Sequence, residues 1–552
     1  MRIKVSDYLV KKLAEFGIEE VFGLPGDYNF DIVEAIEKSE KINWIGSTNE
    51  LNAGYAADGY ARIKGYGAIV TTFGVGELSA INAVAGCFSE NVPVVKIVGV
   101  PSVKHIKNKT LLHHNLVSAN YKAFYEAYKN VVQEASFLTL ENPKEEIDKL
   151  FETMKKTKMP VYLAIPMDVS TSLVEVEEIN KEEEKEKSSE ENLKKAAGLI
   201  LGKIKKSTAP ILVADILAQR FGAKEELNEF LKISKIPSTS FIRGMDIIET
   251  GTKNYFGPFA GKIANLDCSK YLNASDCVIL AGAVVSDLNT MNFAFDFDIE
   301  KAIDIQADFV IVDGEKIENV LIKDLFLELN KEILKEKYEF KEEYKRTFRY
   351  EALKETPKGN LTLDYFYRKM ESFIKENDIL ITEVGLVPFG VLPYELPQNI
   401  SIQNQILWGS IGWATPCALG CSIADRSRRT ILITGDGAHQ LTAQEISTMM
   451  RNKLKPIVFV VNNSGYTVER ILCDDVNYKY NDIASWEYSL LPKAFKGECF
   501  SAKVEKNEEL DTVLEKIKEE QKEKMCYIEL CCDYLDFPPL AKAIAKHPEQ
   551  LK

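Results

Sequence analysis

The sequence has 552 residues, which is enough for roughly three to four domains of ordinary size. Its 69 basic and 83 acidic residues give a net charge of −14, which would repel nucleic acid or an anionic membrane and excludes both as main partners. Ten cysteines without a CxxC pair, and five histidines without a Cys/His cluster, indicate reduced cytosolic thiols rather than a zinc site or a disulfide framework.

Residues 1 to 175 alternate between strand-like and helix-like patterns, which predicts a doubly wound parallel sheet. The first stretch, MRIKVSDYLVKKLAEFG, is an amphipathic helix pattern without the apolar core of a signal peptide, and no uncharged apolar run approaches membrane-spanning length. We therefore expect a cytoplasmic protein. The predicted strands are short apolar runs at 21–24, 42–45, 68–72, 92–98 and 161–165.

Several polar side chains of this first region fall in loops or at the start of a helix. Asp27 lies in the loop after the first predicted strand, and Glu50 begins the helix ELNAGYAADGYARIKG. His113 and His114 lie in the polar loop IKNKTLLHHN. Adjacent side chains normally point in different directions, so we expect different roles for the two histidines rather than joint metal binding. Taken alone, the two histidines are more typical of an ordinary polar loop than of a functional site. An acidic residue such as Glu50 is common in the first turn of a helix without any further role.

The segment Gly74-Val75-Gly76 follows a predicted strand and opens a helix, as half of a dinucleotide-binding fingerprint would. Ser79 stands at the third small position, and no acidic partner follows at the expected place. We therefore predict a tight strand-to-helix turn. A dinucleotide-dependent oxidoreductase is an alternative that depends on this segment alone.

Two charged stretches divide the rest of the chain. Residues 175 to 192, EVEEINKEEEKEKSSEEN, predict a solvated linker, and a second charged stretch ends near Asn360. The region 193–340 contains few clustered polar groups of catalytic type, so we expect a structural α/β domain there. Its predicted strands lie at 211–214, 238–242, 277–281 and 309–312.

The stretch 429–469 combines a strand, a turn, a helix and a second strand. The apolar run at 431–433 leads directly into Gly435-Asp436-Gly437, and a helix pattern extends from there to about residue 451. A second buried strand at 457–461 ends in Asn462-Asn463-Ser464-Gly465. A parallel strand-helix-strand unit brings both strand ends to one edge of the sheet, where ligands of open α/β sheets bind.

The groups expected at that edge suit a magnesium-bound diphosphate. Asp436 offers a carboxylate, Asn463 an amide oxygen and Gly465 a backbone carbonyl, and these hard oxygen ligands suit an octahedral Mg²⁺. The helix start at Gly437 and Ala438 adds backbone N–H groups, which favour a diphosphate.

The order GDG, helix, strand and NN resembles the diphosphate-binding motif of thiamine diphosphate (ThDP) enzymes. Its continuation GYTVER resembles the 2-oxo acid decarboxylases, the family of pyruvate, indolepyruvate and branched-chain 2-oxo acid decarboxylases. The resemblance covers the whole chain and implies three doubly wound parallel-sheet α/β domains, with pyrimidine binding at 1–175, a middle domain at 193–340 and diphosphate binding at 361–552. It implies ThDP and Mg²⁺ as cofactors, and a homodimer with shared active sites that forms a homotetramer.

The resemblance assigns three further residues to the cofactor. Glu50 matches the carboxylate that hydrogen-bonds N1′ of the aminopyrimidine and favours the tautomer that produces the ylid. Gly409 matches a backbone contact to the 4′-amino group. Ile411, in a helix predicted over 411–424, matches the bulky apolar residue that bends the cofactor, although a core isoleucine would look the same in sequence.

The resemblance also assigns a polar set to the substrate. Asp27, His113, His114 and Glu469 match the residues that handle protons after carbon dioxide is lost. Histidine titrates near neutrality and the pKa of a carboxylate rises on burial, which suits this task.

A third set is implied to line the substrate pocket. It consists of Val468, Pro388 and Phe389, with the C-terminal tail closing over it. Val468 is smaller than the isoleucine typical of pyruvate-preferring members. Val384 and Leu386 depart from the family pattern, in which these positions carry polar residues.

The resemblance implies non-oxidative decarboxylation of a 2-oxo acid to an aldehyde and carbon dioxide, through a ThDP ylid and an enamine. The substrates expected are aromatic or branched-chain 2-oxo acids, with pyruvate as the alternative. An acetolactate-forming carboligase is a further alternative, but it must keep protons from the carbanion, whereas the two histidines favour protonation. A non-catalytic ThDP-binding protein would show loss of the residues named above, and all of them are present.

Overall fold

The computed structural model describes residues 1–176, 186–262 and 264–547. Part of the predicted linker, 177–185, and the end of the third predicted region, 548–552, lie outside these residues. Each of the three predicted α/β regions contains one main sheet. Within the described ranges, no helix is both long enough and apolar enough to cross a membrane.

The first region forms a parallel sheet covered by helices. Its strands are Arg2–Lys4 (β1), Glu20–Gly23 (β2), Asn43–Gly46 (β3), Gly67–Thr72 (β4), Val94–Val100 (β5), Glu134–Phe137 (β6), Val161–Pro166 (β7) and Leu173–Glu175 (β8). Its helices are Val5–Glu15 (α1), Phe30–Glu37 (α2), Glu50–Lys64 (α3), Val75–Ser89 (α4), Val103–Lys107 (α5), Ala123–Tyr128 (α6), Pro143–Thr157 (α7) and Met167–Ser170 (α8). The sheet order is β3-β2-β4-β5-β7-β6, and β1 pairs antiparallel with β8 beside it.

The second region has a mixed sheet in the order β11-β10-β9-β12-β13-β14-β15, which is parallel as far as β13 and ends in antiparallel strands. Its strands are Pro210–Ala214 (β9), Ser238–Ser240 (β10), Tyr255–Pro258 (β11), Cys277–Ala281 (β12), Ile303–Ile305 (β13), Phe309–Val312 (β14) and Glu315–Glu318 (β15). Its helices are Glu190–Lys206 (α9), Ile216–Arg220 (α10), Lys224–Ser234 (α11), Leu266–Ala274 (α12) and Ile322–Glu336 (α13).

The third region has a parallel sheet in the order β17-β16-β18-β19-β21-β20. Its strands are Ile379–Thr382 (β16), Ser401–Gln403 (β17), Thr430–Gly435 (β18), Ile457–Asn462 (β19), Cys499–Val504 (β20) and Met525–Cys531 (β21). Its helices are Leu363–Phe373 (α14), Val387–Val391 (α15), Ala414–Ala424 (α16), Asp436–Thr442 (α17), Glu445–Arg451 (α18), Thr467–Leu472 (α19), Leu491–Ala494 (α20) and Asn507–Glu520 (α21).

The first and third sheets share one relative strand order. In each, the chain reverses its direction of travel across the sheet, between β2 and β4 in the first sheet and between β16 and β18 in the third. Such switch points leave a crevice at the carboxyl ends of the strands, where ligands of doubly wound sheets bind. The fold class is therefore the one predicted, and the fold itself marks two places for a site.

Helix α3 of the first region packs directly on α16 of the third. A Cβ atom on Gly420 would lie 1.9 Å from the carbonyl oxygen of Ala56, and a Cβ on Gly59 would lie 2.3 Å from the carbonyl oxygen of Cys417. Glycine is thus required on both helices for this approach. Because α3 begins at Glu50, the packing also fixes the place of Glu50 relative to the third region.

Two predicted helices have different boundaries in the structure. The helix predicted over 411–424 begins only at Ala414, because Gly412 has a φ of 86° that a right-handed helix does not allow. The helix predicted from Ala438 to about residue 451 is two helices, α17 and α18, and the first begins at Asp436 itself. Edge strands such as β17 and β20 escaped the sequence analysis because their apolar runs are short or absent.

Candidate active site

An open cleft lies at the switch point of the third sheet, at the carboxyl ends of β16, β18 and β19. Its walls come from the segments that follow these strands and from Leu363, Tyr367, Ile411 and Pro538. Asp436, Gly437, Ala438, Asn463, Gly465 and Val468 all contribute to the lining. The strand-helix-strand unit predicted at 429–469 thus brings its polar ends together.

Asp436 is the first residue of α17 and is buried. Its carboxylate accepts hydrogen bonds from the backbone N–H of Gly437 at 2.7 Å and of Gly465 at 3.1 Å. Burial raises the pKa of Asp436 to about 6, although these N–H groups oppose the rise. The structure shows the N–H of Gly465 facing Asp436, and ligation of a metal by the Gly465 carbonyl stays a prediction.

The donor set of the cleft fits a magnesium diphosphate. The carboxylate of Asp436 and the amide of Asn463 line one cleft and supply the hard oxygen ligands that Mg²⁺ prefers. Gly437 makes room for Tyr466, because a Cβ on Gly437 would lie 2.5 Å from the ring of Tyr466. The residues present are therefore able to hold the cofactor pair that the sequence motif implies.

Gly409 and Ile411 lie in the segment that leads into α16. Gly409 has a φ of 65°, and its N–H donates to the carbonyl of Gln405 at 3.0 Å. Ile411 is 38% exposed and lines the cleft, so it is not the buried core residue that the sequence left open as an alternative. Its place in the cleft wall suits the contact with cofactor that the resemblance implies.

Glu50 begins α3, and the side chain of Asn49 caps this helix by accepting from the N–H of Asn52 at 2.8 Å. An Oε atom of Glu50 lies 3.2 Å from the position that a Cβ would take on Gly76. Gly76 therefore makes room for the Glu50 carboxylate. Gly74 has a φ of 67°, and a Cβ there would lie 2.0 Å from the carbonyl oxygen of His114.

The turn predicted at 74–76 is thus a tight turn as expected, and its glycines serve two neighbouring groups. Gly76 accommodates Glu50, and Gly74 accommodates the loop that carries the histidines. This arrangement explains the two glycines without a dinucleotide.

Asp27, His113 and His114 come together at the edge of the first sheet. An Oδ atom of Asp27 lies 2.9 Å from Nε2 of His113, and the two histidine rings are 4.5 Å apart between centroids. Our expectation that the adjacent histidines point apart is wrong. His114 has a φ of 65°, which breaks the usual alternation of side chains and turns both rings toward Asp27.

Tyr28 is a member of this group that the sequence analysis missed. Its ring stacks on His113 at 4.8 Å between centroids, and its hydroxyl lies 3.2 Å from Nδ1 of His113. Burial raises the pKa of Tyr28 to about 12, so the phenol stays protonated. Its position next to Asp27, in the loop that follows β2, is the signal that could have found it.

A buried lysine lies behind Glu50 and was also missed. Lys96 is in the middle of β5 and contacts the hydroxyl of Thr71. Burial lowers the pKa of Lys96 to about 7, against the attraction of Glu77 and Glu50. The charge inside the apolar run VVKIVGV was a visible signal of a polar contact.

The remaining predicted residues lie on the third region. Val468 lines the cleft, and Glu469 follows it in α19. Pro388 is buried, and Phe389 packs in an apolar cluster with Leu386. The C-terminal tail joins the same cluster, which also contains Ile471, Val476, Leu535, Phe537, Ala541, Ile544 and Ala545.

The residues that line the cleft all belong to the third region, over the part of the chain that the structure describes. Glu50, Asp27 and the two histidines belong to the first region. The predicted site residues therefore form two groups, one on each of the two switch-point sheets.

Three family models match successive parts of the chain. They are the N-terminal TPP binding domain of thiamine pyrophosphate enzymes at residues 3–123, the central domain at 198–324 and the C-terminal TPP binding domain at 388–530. The chain is 35% identical to a pyruvate decarboxylase of Aspergillus fumigatus, over 89% of this chain and 87% of that protein. It is 34% identical to pyruvate decarboxylase isozyme 3 of Saccharomyces cerevisiae, over 89% of each. A pyruvate decarboxylase of Candida glabrata is 32% identical, over 97% of this chain and 96% of that protein.

Proposed function

The chain belongs to the family of ThDP-dependent 2-oxo acid decarboxylases, and on that premise we propose that it converts pyruvate to acetaldehyde and carbon dioxide. It is an enzyme with ThDP and Mg²⁺ as cofactors. The preference for aromatic or branched-chain 2-oxo acids is not confirmed, because the relatives named above are pyruvate decarboxylases. The small side chain of Val468 is weaker evidence than the similarity to these relatives, because one methylene in a pocket changes substrate selectivity by only about 1–3 kcal/mol.

We assign the roles of the three regions accordingly. Residues 1–175 bind the pyrimidine, 193–340 form the middle domain and 361–552 bind the diphosphate. The family models match within each of these ranges, which supports the assignment. The cysteine usage of the sequence supports the cytosol as the location.

The cleft residues would hold the cofactors. Asp436 and Asn463, with the Gly465 carbonyl, would bind Mg²⁺, while Gly437 and Ala438 would face the diphosphate and Gly409 and Ile411 the rest of the cofactor. Bound ThDP supplies an electron sink for the loss of carbon dioxide. Glu50 would hydrogen-bond the aminopyrimidine nitrogen N1′ and so favour the tautomer that produces the ylid.

The contact between Asp27 and His113 is the observation that favours decarboxylation to an aldehyde over carboligation. Loss of carbon dioxide must be followed by delivery of a proton to the same carbon before an aldehyde leaves. Asp27, His113 and His114 form a compact group of proton carriers, and Glu469 is proposed to complete it. A carboligase needs the opposite, a site that keeps protons away until a second 2-oxo acid arrives.

We further propose a homodimer with shared active sites, and a homotetramer of two such dimers. The separation of the site residues into two groups supports this, because the cleft is lined by the third region of the chain while Glu50 lies on the first. The test is co-expression of a Glu50→Gln chain with an Asp436→Asn chain. Shared sites predict that activity returns to about a quarter of normal, since half of the dimers then contain one intact site. Sites within single chains predict no recovery.

The reaction itself is tested with purified protein, ThDP and Mg²⁺. Pyruvate, 3-methyl-2-oxobutanoate, phenylpyruvate and indolepyruvate are supplied separately, and aldehyde is followed by coupled reduction while acetolactate is measured in parallel. We expect acetaldehyde from pyruvate with the highest kcat/KM of the four. Acetolactate without free aldehyde would instead identify the protein as a carboligase. A higher kcat/KM for the larger acids than for pyruvate would support the preference for aromatic or branched-chain substrates that the sequence predicted.

A further inference from the structure

Asp27, His113 and His114 each offer one ligand atom, and these atoms all lie within 4.8 Å of one another. They come from two loops, one after β2 and the other between α5 and α6. The φ of 65° at His114 is what brings both imidazoles to one side. Adjacent side chains of an ordinary polar loop usually point in different directions. The convergence of both imidazoles on Asp27 is therefore a specific feature of this loop.

The distances suit a tetrahedral metal ion. Zinc takes nitrogen and oxygen ligands at about 2.0–2.2 Å, which places ligand atoms roughly 3.4 Å apart. Nε2 of His113 and the Asp27 carboxylate are already 2.9 Å apart. The widest pair, at up to 4.8 Å, includes His114 and must close by about 1.4 Å to reach this spacing. The side chains of Asp27 and His113 are about half exposed, so they can move toward His114 without disturbing core packing.

Tyr28 orients His113 in the way that metal-binding histidines need. When the Nδ1–H of His113 donates to the Tyr28 hydroxyl at 3.2 Å, the lone pair of Nε2 faces the Asp27 carboxylate. In this tautomer Nε2 of His113 and the carboxylate of Asp27 both present lone pairs, which a cation can accept. A partner on the second ring nitrogen is the usual support of a ligating histidine.

We propose that Asp27, His113 and His114 form a binding site for Zn²⁺, distinct from the Mg²⁺ site at Asp436. Two imidazoles and one carboxylate select a borderline transition ion over Mg²⁺, whose preferred ligands are all oxygen. The fourth position is open to water or to the carboxylate of a 2-oxo acid. Bound Zn²⁺ occupies the lone pairs of the proton carriers, so it inhibits decarboxylation. This consequence, unlike the binding itself, rests on the proposed function.

The experiment titrates the holoenzyme with Zn²⁺ while Mg²⁺ and ThDP are kept in large excess. Binding is measured by calorimetry, and Co²⁺ is used as a coloured substitute that reports imidazole ligation in its visible spectrum. We expect one site per chain and inhibition that follows occupancy. His114→Asn is the main variant, because asparagine tolerates a positive φ and so preserves the loop. It is expected to weaken Zn²⁺ binding by at least about 100-fold, since even loss of an outer partner costs roughly 10–100-fold.

His105→Gln is the matched control, because this partly exposed histidine of α5 is outside the group. It is expected to leave Zn²⁺ affinity and activity unchanged. Absence of Zn²⁺ binding would overturn the proposal, and so would binding that excess Mg²⁺ removes or that Asp436→Asn abolishes while His114→Asn does not. If no 2-oxo acid is decarboxylated, the calorimetry and the Co²⁺ spectra decide the metal site on their own.

Discussion

The carboxylate of Asp436 accepts a hydrogen bond from the backbone N–H of Gly465 at 3.1 Å, across 29 positions of sequence. The contact joins the ends of β18 and β19. Gly465 has a φ of 136°, and a Cβ there would lie 2.2 Å from the carbonyl oxygen of Asn481, so glycine is required at this bend. Backbone geometry thus holds the proposed Mg²⁺ ligand in place.

Asp436→Asn is expected to reduce the Mg²⁺-dependent affinity for ThDP by about 100-fold or more. Removing one partner of a buried charge interaction costs about 3–5 kcal/mol, and each 1.4 kcal/mol is a factor of ten. Calorimetric titration of ThDP at several Mg²⁺ concentrations measures the loss. Asp425→Asn is the control, because that carboxylate caps the turn at Ser427 and does not line the cleft. If both variants bound ThDP with the same affinity, Asp436 would not be a ligand of the metal.

Glu50→Gln is expected to leave ThDP binding nearly intact while turnover falls by about 10²–10⁴-fold, the usual contribution of a positioned acid or base. Glutamine keeps the size of the side chain in the space beside Gly76 but cannot hold the proton. Cofactor affinity and kcat are measured on the same preparation. Glu37→Gln, an exposed change at the end of α2, provides the control. A Glu50→Gln enzyme with normal kcat would refute the assigned role.

Gly420→Ala is expected to destabilise the contact between α3 and α16 by about 1–3 kcal/mol, as overpacking of a close interface does. The new Cβ would lie 1.9 Å from the carbonyl oxygen of Ala56, and a backbone atom cannot rotate away. Thermal unfolding measures the change in Tm. Gly202→Ala in α9 is the matched control, because its Cβ meets nothing within 4 Å. That change should stabilise the helix by about 0.5–1 kcal/mol. The same Tm shift in both would contradict the close packing.

The unit around Asp436 could be predicted because local sequence determines it. A β-branched run, a glycine turn and a second apolar run specify two buried strands, and the right-handed crossover then brings Asp436 and Asn463 to one edge. Hydrophobic periodicity is a short-range signal, and these contacts follow from short-range structure.

The arrangement of His113 and His114 could not be predicted in this way. It depends on a positive φ at His114, which residue type does not specify, and on Gly74, which lets the loop approach from a distant part of the chain. Lys96 and Tyr28 were missed for a related reason. Their partners lie on other strands and loops, so that only the tertiary structure shows what each side chain contacts.

Glu383 lies at the end of β16 and is fully buried, with the N–H of Val384 and the hydroxyl of Thr434 donating to it at 3.1 and 3.3 Å. Burial raises the pKa of Glu383 from 4.5 to about 7. Between these two values the unfolded chain has released the proton while the folded chain keeps it. The free energy of unfolding therefore falls as pH rises through this window. The stabilisation is complete below pH 4.5 and is lost above about pH 7.

Glu383→Gln removes this titration, and the expected result is a change in the pH dependence of stability. From about pH 5 to about pH 8 the parent protein should lose about 3 kcal/mol that the variant does not lose, because each pKa unit corresponds to about 1.4 kcal/mol. Tm is measured across this range for both proteins, and the variant should gain on the parent as pH rises. Glu376→Gln, at an exposed position of the same region, should give a curve parallel to that of the parent. Parallel curves for Glu383→Gln as well would show that Glu383 is already ionised in the folded protein at neutral pH.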